Sequence, residues 1–204
     1  MGQTNGASSG CLVGSLDFSH PYFKTRGVHA ETARAFEVGF SLATGPLGGR
    51  IVIPIGNARG EVVAYAGRAL RDTDEPKYAV VPADFRKEVE LYNLHRALAA
   101  RDETRISRVA VVEGFFGCLR VHQAGFPCAV ALMGSPLSES QEVRLVENFE
   151  QVLLMLDGDD EGWQATQDCV RRLACQVFVK AVVLPSGKGP DQLSDDELRL
   201  VLSR

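Results

Sequence analysis

The feature that most constrains this chain is a strict alternation of segment types after Arg105. Apolar runs at 109–112, 129–133, 152–156 and 177–184 are separated by helical stretches at 116–124, 138–148 and 162–175. Short, continuously apolar strands alternating with helices predict a parallel sheet covered on both faces, an α/β fold. In such sheets ligands sit beyond the carboxyl ends of the strands. That edge is where the chemistry is sought.

The first half has a different rhythm. Arg50-Ile-Val-Ile-Pro-Ile55 and Glu61-Val-Val-Ala-Tyr-Ala66 are β-rich, and Gly56-Asn-Ala-Arg-Gly60 supplies the turn of a hairpin. Pro54 has no N–H for a ladder and predicts an edge position or a bulge. A further extended run is expected at 78–81. Helices are expected at 19–26, with Gly27 as its stop, at 30–36, and at 88–101, where Val89, Leu91, Leu94 and Leu98 are apolar. Ser194-Asp-Asp-Glu197 reads as a capping box opening a last helix. Residues 1–15, rich in Gly, Ser, Thr and Asn, predict a disordered tail. The chain therefore divides into a tail at 1–15, an α+β unit at 16–105 and an α/β unit at 106–204.

Charge and cysteines narrow the function classes. The 204 residues carry a net charge of −4, which excludes a histone-like polybasic binder. The charge is unevenly spread. Residues 1–108 hold 14 basic and 12 acidic groups, a net +2, and residues 109–204 hold 8 and 14, a net −6. None of the five cysteines forms a CxxC pair and no His stands at a zinc-finger offset, so no zinc is expected. Cys118 and Cys128 lie among apolar residues and read as packing groups. Residues 1–14 lack the features of a signal peptide, and no apolar run approaches the roughly 20 residues of a membrane span. A cytoplasmic protein with reduced thiols and no membrane partner is expected.

Three acids stand at the expected strand ends. Glu113 follows the first apolar run of the α/β half, and Asp157-Gly-Asp159 follows the third, 44 residues after Glu113. In an extended segment, residues two apart face the same side. Clustered carboxylates repel, and a hard divalent cation with oxygen ligands relieves that repulsion. The alternative is that such acids cap the following helices. That alternative is the expectation for Asp160 and Glu161, and the metal is the expectation for Glu113, Asp157 and Asp159.

Glu113-Gly followed by Asp157-Gly-Asp159 resembles the Toprim signature. The surrounding motifs resemble the catalytic core of bacterial DnaG-type DNA primases. They are Arg50-Ile-Val-Ile-Pro-Ile, Gly60-Glu-Val-Val-Ala-Tyr-Ala-Gly-Arg68, Pro76-Lys-Tyr78, Glu90-Leu-Tyr-Asn-Leu94, Val112-Glu-Gly-Phe, His122-Gln-Ala-Gly-Phe126 and Leu184-Pro-Ser-Gly-Lys188. Tyr22-Phe-Lys-Thr-Arg-Gly27 resembles the helical start of that core, and the resemblance runs from about Phe18 to Leu202.

The resemblance implies a primase-core N-terminal α+β subdomain followed by a Toprim domain. It implies template-directed joining of ribonucleoside triphosphates on single-stranded DNA with Mg²⁺ or Mn²⁺. By its motifs Glu113, Asp157 and Asp159 are the catalytic acids, and Asp191 joins them as metal ligands. Arg50, Arg68, Lys77, Lys87 and Lys188 stand at positions that contact nucleic acid or nucleotide. Replication or mobile-element proteins are the implied protein partners. The family's zinc-binding and helicase-docking domains do not fit into this length, so a stand-alone core or a fragment is expected.

Two departures bear on the chemistry. Gly117 and Gly189 stand where the family carries acids, which leaves Glu113, Asp157, Asp159 and Asp191 to hold one ion. Three functions follow: a primase-type nucleotidyltransferase, a nucleic-acid- or partner-binding module derived from a primase, and a metal-dependent Toprim nuclease.

Overall fold

A computed structural model describes residues 14–134 and 136–203. Except for Gly14 and Ser15, the expected tail lies outside the described residues, as does Cys11. The first half forms an antiparallel meander in the order β1 (Leu16–Asp17), β2 (Gly39–Ser41), β3 (Ile51–Gly56), β4 (Val62–Arg68) and β5 (Tyr78–Val81). Two short helices, α1 (Pro21–Thr25) and α2 (Ala30–Ala35), lie between β1 and β2.

The β3–β4 hairpin forms where the turn residues place it. Pro54 is tolerated inside the meander because β2 pairs only with Ile51 and Val52 and ends before reaching it. A bulge follows at Ile55/Gly56. The period of two sends Ile51, Ile53 and Ile55 into the main core and Val52 to the opposite face beside Leu47.

The helix expected at 88–101 is corrected. It is α3 (Leu94–Thr104), preceded by a 3₁₀ turn at Lys87–Val89. Tyr92 bridges Ala131 instead, its N–H donating to the Ala131 carbonyl at 3.0 Å and its carbonyl accepting at 3.2 Å. Asn93 then turns the chain at φ 68° and donates its side-chain amide to the Ala129 carbonyl at 2.8 Å. Val89 and Leu91 therefore precede the helix.

In the second half all the strands are parallel. β6 (Arg108–Val112), β7 (Ala129–Ala131), β8 (Gln151–Met155) and β9 (Phe178–Ala181) lie in the order β7-β6-β8-β9. The helices are α4 (Phe115–Gln123), α5 (Glu139–Asn148), α6 (Asp160–Leu173) and α7 (Asp195–Ser203). Val109, Val111, Val130, Val152 and Leu154 face α3, α5 and α6. Ala110, Val112, Ala129, Ala131, Leu153 and Met155 face α4 and α7. Burial on both faces accounts for the continuous apolar runs. The second of these cores continues without a break into Ile51, Ile53 and Ile55 of the meander, so α4 is packed between two sheets. Phe115 through Val121 are all buried as a result.

One charged residue sits in that buried helix. Arg120 donates to the Gly27 carbonyl at 2.8 Å, to the Leu193 carbonyl at 2.6 Å and to the carboxylate of Asp195. Ser194 and Glu197 make the expected capping box at the start of α7, and Ser138 and Gln141 make another at α5. Cys118, Cys128 and Cys169 are buried free thiols and Cys175 is exposed. Burial pushes the Cys118 thiol far up, as packing residues require. No helix among the described residues is long and apolar enough to cross a membrane.

The Arg120 contacts set a stability expectation. Arg120→Met strands two carbonyls and a partly buried carboxylate, and urea unfolding should show a loss of about 3 kcal/mol. Asp195→Asn should cost about 1 kcal/mol. Burial raises the Asp195 pKa, but its hydrogen bond and charge pairing with Arg120 outweigh this and hold it below 3.8. The Asp195 contribution is thus complete above pH 3.8 and fades as pH falls through the lowered folded value. The difference between Asp195→Asn and the native chain should shrink over that range.

Candidate active site

The carboxyl ends of β6 and β8 are neighbours, with Val112 opposite Met155. The chain leaves β6 toward β7 on one side and returns to β8 on the other, which opens a crevice at this point. Glu113 immediately follows β6, and Asp157 follows β8 by one intervening residue. A cleft of about 790 Å³ lies between these ends and the meander. Its walls include Glu113, Asp157 and Asp191 on one side and Arg26, Arg68, Lys77, Tyr78 and Lys87 on the other.

The acids are half-buried and repel one another. Burial raises the Glu113 pKa first, and repulsion from Asp157, Asp159 and Glu161 adds to it. For Asp157, burial is followed by repulsion from Asp191 and Asp159, partly offset by Arg26 and Lys77. Among the described residues neither carboxylate accepts a hydrogen bond. Asp191 lies in a 3₁₀ turn, Pro190–Gln192, and pairs with Arg26.

Asp159 is placed differently. The chain bends at Gly158, so the period of two does not carry past Asp157. Asp159 accepts the Gly162 N–H at 2.8 Å and caps α6. It lines a cavity of about 340 Å³ beside Trp163 that shares Asp157 with the main cleft.

Two glycines set the spacing of the acids. A methyl group on Gly162 would stand 2.0 Å from the Asp157 carbonyl oxygen, so only glycine lets α6 start against that backbone. A methyl on Gly189 would stand 2.7 Å from Asp157 Oδ1 and 3.0 Å from Asp191 Oδ1. Both carboxylates thus overhang the same bare Cα. Gly117 differs, since a methyl there meets only ordinary contacts with Val112 at 3.5 Å and Pro190 at 3.6 Å.

The oxygen donors suit a hard cation. No group of three or more His, Cys, Asp or Glu side chains among the described residues is arranged to hold a metal ion. Mg²⁺ typically takes one or two carboxylates and keeps several waters. Asp157 and Asp191, converging over Gly189 with Glu113 across the strand ends, fit that loose mode and not a closed cage.

The cations are unequal. Arg68 is 3% exposed, and its ion pair with Asp72 spans 2.5 Å. It also donates to the Tyr22 hydroxyl at 3.2 Å and lies over the Tyr78 ring. Its Nη1 has no hydrogen-bond partner among the described residues. Burial pushes the Tyr78 hydroxyl up to about 12, which keeps it a hydrogen-bond donor. Lys77 and Lys87 line the cleft, and Lys87 lies 3.5 Å from the Gly134 carbonyl.

Arg50 and Lys188 are not brought to the cleft. Arg50 lies on the other face of the meander and donates to the Gly67 and Pro76 carbonyls at 3.2 and 2.8 Å. Lys188 contributes its carbonyl, which accepts the Gly158 N–H at 2.9 Å. Arg26 is the cleft residue the sequence reading did not single out, although it stood inside the Tyr22–Gly27 motif.

A Toprim-like family model matches residues 110–194, and the model of the DNA primase catalytic core, N-terminal domain, matches residues 43–98. The chain is 35% identical over 151 residues to the DNA primase of Pseudomonas aeruginosa, covering 71% of this chain and 22% of that protein. It is similar to the solved zinc-binding and RNA polymerase domains of the Aquifex aeolicus primase, with a TM-score of 0.77 and 28% identity. That match covers 89% of this chain and 54% of the other. It is also similar to a solved DNA primase domain from Pseudomonas aeruginosa, with a TM-score of 0.74 and 29% identity. Here 90% of this chain and 70% of the other are covered. The chain spans about a quarter of the length of the curated relatives it matches.

The glycine contacts are separable by experiment. Gly162→Ala forces α6 off the Asp157 backbone and should cost about 3 kcal/mol in denaturant unfolding. Gly189 has φ −93°, which any residue adopts, so Gly189→Ala should cost less than about 1 kcal/mol. It should instead splay the two carboxylates and weaken Mn²⁺ binding several-fold in a titration.

Proposed function

Because the chain is a Toprim-domain protein resembling the catalytic core of bacterial DnaG-type DNA primases, we propose that its cleft joins ribonucleotides on a single-stranded DNA template. The observation that carries this reading is the meeting of Glu113, Asp157 and Asp191 with Arg68, Lys77 and Lys87 in one cleft. Residues 16–105 supply the cations as one unit, and residues 106–204 supply the acids as the Toprim unit.

The reaction is attack of a ribose 3′-hydroxyl on the α-phosphate of a nucleoside triphosphate, with pyrophosphate leaving. Asp157 and Asp191, with Glu113 beside them, would hold Mg²⁺ or Mn²⁺, which supplies charge neutralisation and hydroxyl activation when bound. Lys77 and Lys87 bind the triphosphate or template phosphates, and Arg68, buried and paired with Asp72, backs the same wall of the cleft. Glu113, at the end of β6 beside these acids, is the residue we assign to accept the proton of the attacking hydroxyl. Asp159 acts through the cap on α6 that fixes the Asp157 turn. Template and nucleotides place the reaction in the cytoplasm.

The test is incorporation of labelled ribonucleotides on single-stranded DNA with Mg²⁺ or Mn²⁺. Asp157→Ala should lower the rate at least about 100-fold. Equal absence of product from the native chain and the variant, with salt-sensitive strand binding retained, would leave the binding-module reading instead. Strand degradation without nucleotides would leave the nuclease reading.

A further inference from the structure

The acid cluster already has a cation, and it is a side chain from the other half of the chain. Arg26 ends the first helix turn of the meander half, where its backbone N–H bonds to the Tyr22 and Phe23 carbonyls. Its Nη2 lies 2.5 Å from Asp191 Oδ2, with the side chains 31% and 15% exposed. The guanidinium stacks 5.0 Å from the centroid of the Phe116 ring, which fixes its direction of approach. Asp191 Oδ1 and Asp157 Oδ1 both overhang Gly189, so Arg26 lies on the far oxygen of the acid that Asp157 faces. A divalent ion on the near oxygens would stand within the width of one carboxylate of this guanidinium, and the repulsion between the two cations sets them in competition for Asp191.

We propose that Arg26 is a built-in, displaceable counter-ion: it occupies Asp191 until a divalent cation takes that carboxylate, and so makes the cation site weaker than its own acids would. The assignment rests on the divalent-cation reading of the cleft given above. Two observations favour exchange over a permanent bridge. Arg26 Nε is buried with no hydrogen-bond partner among the described residues, so the pair is held on one side of the guanidinium only. Arg26 also lines the cleft itself, so a released guanidinium has space to turn into and stays beside bound anions. Asp191 keeps a positive partner in both states, and the cluster is never left without one.

The test is Mn²⁺ binding without nucleotide, read from the electron paramagnetic resonance signal of the free ion. It uses the whole chain, Arg26→Gln, Asp191→Asn and the double variant. Arg26→Gln should bind Mn²⁺ about tenfold more tightly than the native chain. In the Asp191→Asn background the same substitution should change affinity less than about twofold, since the competition acts through that carboxylate. Arg26→Lys, which keeps the charge but loses the fork, should fall between and serves if Arg26→Gln does not fold. Native-like or weaker binding by Arg26→Gln overturns the counter-ion role while leaving the cation site standing. An equal gain in the Asp191→Asn background overturns it too, by reducing Arg26 to general charge repulsion. No Mn²⁺ binding by any form overturns the cation reading and this proposal together.

Discussion

The buried guanidinium of Arg120 is the interaction on which the geometry of the cleft depends. It sits on the helix packed between the two sheets and reaches outward to two loops. One of its acceptors is the Gly27 carbonyl, next in the chain to Arg26. Another is the carbonyl of Leu193, whose own N–H donates to the Pro190 carbonyl and closes the turn carrying Asp191. A single side chain thus fixes both partners of the Arg26–Asp191 pair. Its own charge is satisfied by Asp195 at the start of α7, so the last helix is docked by the same contacts. Removing the donor would release the cation and the acid together, which is why a residue outside the cleft governs its shape.

The cleft itself combines opposite electrostatic problems. Parallel strands bring Glu113 and Asp157 to adjacent ends, and the turn after β9 adds Asp191. Burial raises the proton affinity of Glu113 and Asp157, and repulsion adds to it, from Asp157 on Glu113 and from Asp191 on Asp157. Across the gap, Arg68 is neutralised by Asp72, which leaves Lys77 and Lys87 as cleft-lining lysines without an ion pair among the described residues. A metal–polyphosphate unit, the ligand proposed above, would answer both sides at once, its cation facing the acids and its anion the lysines.

Much of the architecture was legible from pattern. The hairpin followed from its turn residues, and the parallel sheet followed from apolar runs too continuous for a half-solvated strand. The capping box at Ser194 forms with Glu197, as its spacing requires. The misread helix at 88–101 shows where pattern stops. Val89 and Leu91 have helical spacing with Leu94 and Leu98, but the backbone of Tyr92 bonds to Ala131, nearly 40 residues away in sequence. Periodicity reports which side chains are buried and is silent about which carbonyl an N–H will find.

The candidate site divides along the same line. The sequence by itself determined that Glu113 and Asp157 would stand at strand ends, because the strand–helix alternation fixes where each strand stops. It also determined that cations would come from the first half, through the charge asymmetry. Only the tertiary structure decided that Asp159 caps α6, that Arg50 fastens the back of the meander, and that Arg26 rather than a surface lysine meets Asp191. Those outcomes depend on the bend at Gly158, the face alternation of β3 and β4, and the long-range anchors of Arg120. The cap on Asp159 is local, but the Gly158 bend is held by the distant Lys188 carbonyl, and the other two outcomes are contacts between residues far apart in the chain that no local spacing encodes.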